Sequence, residues 1–164
     1  MRRFSFIRGR RFSQDETGGT LAELAILVPF LIIMVAAVAE LGRLFQTYTT
    51  LSKSTRAAAR YLSNNSYEEL YINRAKQMAL CGKIACAGGD EVVAGLTVDN
   101  IVVTADPPDG AGNPDTVTLS ISNYNFQPMF NLAAMLGAER FATFPIRSST
   151  TMYYMWIDPA GAAE

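Results

Sequence analysis

The 164-residue chain is 49% hydrophobic and 18% charged, enough length and apolar content for one domain with its own core, which excludes disorder throughout. Its net charge of -1 hides an asymmetry: residues 1–18 carry five arginines against Asp15 and Glu16, whereas residues 19–164 carry nine basic and thirteen acidic groups. An acidic remainder argues against nucleic acid as a partner, because phosphate neutralisation needs clustered Lys and Arg. The chain has no histidine, which removes the Ser-His and Cys-His triads and the most frequent metal ligand, so no catalytic residue, metal, cofactor or small-molecule substrate is expected.

Residues 1–18, M-R-R-F-S-F-I-R-G-R-R-F-S-Q-D-E-T-G, read as a basic cytoplasmic leader, too polar to fold alone. From Leu24 to Ala39 the chain runs L-A-I-L-V-P-F-L-I-I-M-V-A-A-V-A without a charge. Extended to 19–41, this stretch is interrupted only by Glu23 and Glu40, and as a helix rising about 1.5 Å per residue it would span the roughly 30 Å of a bilayer core. Pro29 lies inside it, a position that membrane helices tolerate better than soluble ones, and predicts a kink or a loosened turn. Arg43, Lys53, Arg56 and Arg60 follow the stretch, so charge on both flanks gives an inside N-terminus only a small advantage.

The helical period continues past the apolar stretch, since Leu44, Tyr48, Leu51, Thr55, Ala58 and Leu62 recur at spacings of three and four and share one face. Lys53, Arg56 and Arg60 fall on another face, read as a solvated stripe or as a contact for an acidic subunit. Ser63-Asn64-Asn65-Ser66 breaks this helix, and Ser66 with Glu69 has the form of a capping box opening a second one to about Gly82. Cys81 and Cys86 enclose four residues. They fit a structural disulfide in an oxidising compartment or two free thiols, and the spacing is not that of redox enzymes.

Beyond the glycines at 88 and 89 the texture becomes that of strands. Residues 96–104 and 116–122 are rich in β-branched side chains, with a change of phase at Asp99 and Asn100 that predicts a bulge. Val117, Leu119 and Ile121 alternate with Thr118, Ser120 and Ser122, as in a half-buried strand. D-P-P-D-G-A-G-N-P separates the two segments as a loop. Pro128 predicts a short helix over 129–136 that Gly137 ends, and Phe141–Tyr154 a third strand. Tyr153, Tyr154 and Trp156 fit either core or an exposed contact strip, and the seven methionines are read as core filler.

The informative constellation is Gly18-Gly19-Thr20-Leu21-Ala22-Glu23, directly ahead of the apolar helix. It has the form of a prepilin-type signal: a basic leader, a cut between Gly18 and Gly19, and a carboxylate at the fifth position of the product. A carboxylate in a membrane helix costs roughly 2.5–3.5 kcal/mol at the centre and less near an end, so Glu23 is read as the partner of a neighbouring subunit's new N-terminal ammonium, setting register. The structural reading is a Thr20-x-x-Glu23 capping box.

The run from Arg11 to Leu31, together with Glu40-Leu41-Gly42-Arg43 and Thr55-Arg56-Ala57-Ala58-Ala59-Arg60-Tyr61, resembles the amino-terminal region of TadE-like proteins, pseudopilins of the tight-adherence (Tad/Flp pilus) secretion system. Leu24 stands where the family tends to carry an aromatic. The resemblance implies cleavage by a prepilin peptidase, an inner-membrane anchor with its N-terminus in the cytoplasm and its domain exported, and association with other pilin-like subunits and Tad assembly proteins in pilus assembly and adherence. Leu24, Leu27, Pro29, Leu31, Glu40 and Arg43 are the candidate helix-packing residues, with Glu40 and Arg43 also fitting a helix end at the lipid headgroups. TadF-like proteins fit the same pattern.

The expectation is therefore an α+β chain: a leader (1–18), a transmembrane and assembly helix (19–41), and an exported domain (42–164) with a second helix and about three antiparallel strands. The rival is an ordinary secreted protein cut after Ala39, where Ala37-Val38-Ala39 has the small-x-small form. A membrane-tethered enzyme is the weakest alternative, because its carboxylates form no motif.

Overall fold

The computed structural model describes residues 16–106, 114–130, 137 and 143–156, with side chains from residue 18 onward. Two helices precede a three-stranded antiparallel sheet: α1 (Glu16–Ser63), α2 (Glu69–Cys81), β1 (Ile101–Asp106), β2 (Thr116–Phe126) and β3 (Phe144–Tyr153), in sheet order β1-β2-β3. The chain divides into two compact units, the first reaching to Val38 and the second comprising Ala39–Glu164. The described part of the first unit is helix alone. Helix assignment runs without a break across Pro29, although that residue has no N–H to donate to the preceding turn.

In the second unit the core is built on the spacing visible in the sequence. Leu51, Thr55, Ala58 and Leu62 of α1 are completely buried, Leu44 packs at the margin, and Tyr48 stays exposed. Ala75 and Ala79 of α2 join them, small residues that let the helix come close. The inward face of the sheet supplies Ile101, then Val117, Leu119 and Ile121, then Ile146. Each of these large side chains contributes about 1.5–3 kcal/mol through burial.

The inner face of β3 is not purely apolar. Ser148 and Thr150 lie opposite Ile121 and Leu119 in the register, and both meet α1: Thr55 Oγ1 is 3.1 Å from Ser148 Oγ and 3.4 Å from Thr150 Oγ1, while Ser148 Oγ donates to Ser52 Oγ at 3.4 Å. Thr55 Oγ1 also donates to the Leu51 carbonyl at 3.1 Å. Short hydroxyl side chains that satisfy each other let helix and strand pack closely without orphaned polar groups.

Several boundaries differ from the sequence reading. The segment 96–104 is not one strand: Val98–Asn100 form a 3-10 turn capped by Thr97, and β1 starts only at Ile101. The bulge lies instead in β2, where pairing shifts between Ile121 and Tyr124. Asn123 there takes φ 58, a left-handed conformation that Asn tolerates better than most residues. Asn100 Nδ2 donates to the carbonyls of Ser122 and Asn123, both at 3.2 Å, so the residue whose phase suggested a bulge is the one that braces it. The extra residue turns Tyr124 and Phe126 back into the core and carries β2 four residues beyond Ser122.

The Ser66–Glu69 capping box does not form. Helix α2 begins at Glu69 behind an extended Glu68, and Ser66 Oγ donates to Glu68 Oε1 at 3.1 Å. Tyr67 packs against the core just ahead of this point, and the helix starts two residues later than a cap at Ser66 would start it. At the other end Gly82 takes φ 72 and its N–H bonds to the Met78 carbonyl, a left-handed stop that suits glycine. Cys81 and Cys86 are joined by a disulfide with Cα atoms 6.0 Å apart. The third strand covers Phe144–Tyr153, within the expected 141–154. Met129 and Phe130 form a bend, and the rest of the expected 129–136 helix lies outside the described residues, as do the 107–113 loop and residues 1–15 of the leader.

Candidate functional site

The amino-terminal half of α1 carries an apolar surface that nothing among the described residues covers. Twelve large apolar side chains between Leu21 and Val38 are each 38–76% exposed. At about 1.5–3 kcal/mol for each fully covered side chain, leaving them in water would forgo on the order of 10–20 kcal/mol. The helix is long and apolar enough to cross a membrane, and none of its most apolar window is buried within the protein. Leu24, Leu27 and Leu31 lie at spacings of three and four, hence on one face. Pro29 sits between the last two in sequence.

Gly18, Gly19 and Glu23 all lie on this helix and are exposed, with no atom of another residue close enough to meet a Cβ at either glycine. Because α1 begins at Glu16, Thr20 and Glu23 sit inside the helix and not at its first turn, so a Thr20-Glu23 capping box has no free helix start to cap in the uncut chain.

Glu40 and Arg43 are held within the second unit. The Glu40 side chain is only 12% exposed, and its Oε1 accepts from the Met129 N–H at 3.0 Å and from Arg43 Nη1 at 3.1 Å. Arg43 in turn lies 5.6 Å above the Phe126 ring, near enough for a cation–π contact. The pair thus fastens α1 to the segment that leaves β2. Glu40 Oε2 is buried without a hydrogen-bond partner among the described residues.

Beside this clamp Tyr124 donates its hydroxyl to the Ala94 carbonyl at 3.1 Å. Burial pushes its hydroxyl above the ordinary tyrosine value, and the positive charge of Arg43 offsets part of the rise. Tyr154 is likewise raised by burial, with a hydrogen bond to the Tyr67 backbone pulling it partly back, and its hydroxyl donates to the Asn65 carbonyl at 2.9 Å. Tyr153 projects into solvent, so the carboxyl-terminal aromatics divide between anchor and surface.

Among the described residues no group of three or more His, Cys, Asp or Glu could hold a metal ion. Two open grooves run along α1 where it flanks β3. One is lined by Leu41, Leu44, Phe45 and Tyr48 with Pro145 and Ile146, and the other by Lys53, Arg56, Arg60 and Tyr61 with Met152.

The model of the TadE-like protein family matches residues 18–60. Over that segment the chain is similar to TadE-like proteins. The matched residues begin at Gly18 and end within the buried part of α1, so the TadE-like segment includes both the uncovered apolar helix and the Glu40–Arg43 clamp. No curated protein and no solved structure matches the chain significantly. Sequence reasoning missed the Met129 contact of Glu40 and the Phe126 contact of Arg43, because nothing in the spacing of residues 83 to 89 positions apart marks them as neighbours.

Proposed function

We propose that this chain is a pilin-like subunit cut between Gly18 and Gly19 by a prepilin peptidase and retained in the bacterial inner membrane by residues 19–41. Its N-terminus faces the cytoplasm, and the domain from residue 42 is exported. During pilus assembly the apolar helix passes from lipid to the helices of neighbouring pilin-like subunits, with Leu24, Leu27 and Leu31 burying area and Glu23 pairing with a neighbour's N-terminal ammonium to set register. The observation that carries this reading is the uncovered apolar helix with a single carboxylate five residues into the cut product, inside a TadE-like segment. A charge in such a helix is costly unless paired, and an adjacent ammonium supplies the pair.

The secreted alternative requires a cut after Ala39. Against it stands the unbroken helix through that bond and the use of Glu40 as an internal fastening. N-terminal sequencing of the mature protein separates the two. A product beginning at Gly19 supports the pilin reading, and one beginning at Glu40 overturns it. Glu23→Gln should leave cleavage intact and reduce recovery of the subunit in sheared pili or in the assembly complex. Undiminished incorporation would remove the register role.

A further inference from the structure

The large exposed side chains of α1 change character along its length. They are predominantly apolar up to Leu41, aromatic at Phe45 and Tyr48, and basic at Lys53, Arg56 and Arg60. A bilayer selects the same succession, since aromatic rings gather where hydrocarbon gives way to headgroups and Lys and Arg lie beyond.

Two distant segments join α1 at the aromatic level. The Met129 N–H bonds to Glu40, and Pro145 and Ile146 share a groove with Leu41 and Phe45. Phe144 starts β3 just before them, opposite Phe126, whose ring lies beneath Arg43. Leu41, Phe45, Met129, Phe130 and Phe144 are each 42–69% exposed. They come from α1, from the bend after β2 and from the start of β3, so the tertiary fold, not a local run, gathers them at one end of the second unit. The opposite end, where Ser63 meets Met155 and Asp115 meets Asp106, carries exposed Asp106, Asp115 and Tyr153.

The way this end is tethered decides what covers it. Leu41 stands three residues after Val38, the last residue of the first unit, and three residues reach at most about 11 Å. The end that carries Leu41 is thus never far from the uncovered helix, nor from whatever surrounds that helix. A headgroup layer is about 5–8 Å deep on each side of the hydrocarbon core. At about 1.5 Å per residue, Phe45 lies about 6 Å along the helix from Leu41 and Lys53 about 18 Å, so the first falls within that layer and the second beyond it.

We propose that this end of the second unit rests in the headgroup layer of a phospholipid bilayer, with Phe45, Met129, Phe130 and Phe144 turned towards the acyl chains. The contact rests on the anchoring of residues 19–41 in a membrane and adds to it: the domain is held against lipid at three segments instead of swinging from one helix. Because the anchor keeps lipid at high local concentration, a contact too small to hold a free domain persists.

The test uses the full chain in vesicles of phosphatidylcholine and phosphatidylglycerol at high lipid excess. Trp156, the only tryptophan, is replaced by Trp156→Phe, and Leu31→Trp, Phe130→Trp, Phe144→Trp or Tyr153→Trp is then added singly. Lipids brominated deep or shallow in the acyl chain act as quenchers of tryptophan emission. Deep bromines should quench Leu31→Trp, and shallow bromines should quench Phe130→Trp and Phe144→Trp severalfold more than Tyr153→Trp. Excess quenching at either of these two segments supports the contact. If Leu31→Trp is quenched while both match Tyr153→Trp, the contact is overturned and the anchor stands. If Leu31→Trp is not quenched, the anchoring fails and the contact falls with it. Emission shifted to the blue at residues 130 and 144 without quenching means that protein covers this end, which also overturns the proposal.

Discussion

Replacing Glu40 by alanine removes the acceptor of both the Met129 N–H bond and the Arg43 ion pair. A hydrogen bond to a carboxylate contributes about 1.5–3 kcal/mol when sheltered, and the Arg43 pair, with that side chain 42% exposed, adds no more than about 1 kcal/mol. Against this, alanine also removes Oε2, a buried oxygen with no partner among the described residues, whose desolvation costs about 1–3 kcal/mol. Taking the middle of each range, the net loss is about 1 kcal/mol, or roughly 3–5 °C in Tm for a folding unit of this size. Glutamine gives the discriminating comparison. Its oxygen keeps the Met129 bond, its amide nitrogen replaces the unpaired oxygen with a donor, and only the partly screened charge is lost, so its Tm should stay within about 2 °C of the wild type. Thermal unfolding of the full chain in detergent, followed by near-UV circular dichroism, measures both. If glutamine destabilises as much as alanine, the fastening depends on charge and the argument from hydrogen bonds is wrong.

Leu62→Ala empties a completely buried position under the sheet and should cost about 2–5 kcal/mol in denaturant unfolding; a loss below about 1 kcal/mol would mean that the site collapses freely. Cys86→Ser opens the short 81–86 loop and should cost about 2 kcal/mol on chain-entropy grounds, seen as a fall in the urea midpoint at constant slope. Because burial raises Tyr124 and Tyr154 above the ordinary value of 10.0, each favours the neutral form in the folded state. Their contribution is complete below pH 10 and is lost as pH rises through the folded values. Stability should therefore fall on the alkaline side of pH 10, and Tyr124→Phe, though it loses the Ala94 bond, should make that fall shallower; an unchanged alkaline limb would show that Tyr124 does not drive it.

The parts of the fold legible in the sequence are those written in a repeating period. Leu51, Thr55, Ala58 and Leu62 at helical spacing, and Val117, Leu119 and Ile121 at strand spacing, occupy the buried faces that their periods indicate. Gly82 ends α2 because its missing Cβ permits the left-handed turn. Where tertiary contact competed with local pattern, the pattern failed. Ser66 has the sequence of a helix cap, yet Tyr67 packs into the core and the helix starts only at Glu69. The irregularity near Asp99 and Asn100 was visible, but a 3-10 turn and a bulge in the facing strand disturb alternation in the same way. The polar meeting of Thr55 with Ser148 and Thr150 was not legible, since each alone reads as a surface hydroxyl. For residues 18–38 the sequence and the fold carry the same message, an apolar surface without cover among the described residues.

The end of α1 and the end of β3 complete each other. The Met155 N–H bonds to the Ser63 carbonyl at 2.9 Å, and the Tyr154 hydroxyl bonds to the Asn65 carbonyl. The first helix thus receives its closing partners from residues about ninety positions later. Contacts of such long sequence separation form late and slowly. A chain made from its N-terminus onward must therefore complete β3 before α1 is sealed. Truncation before Met155 would leave the Ser63 carbonyl without this partner, and loss of β3 would leave the hydroxyl-lined side of α1 open to water.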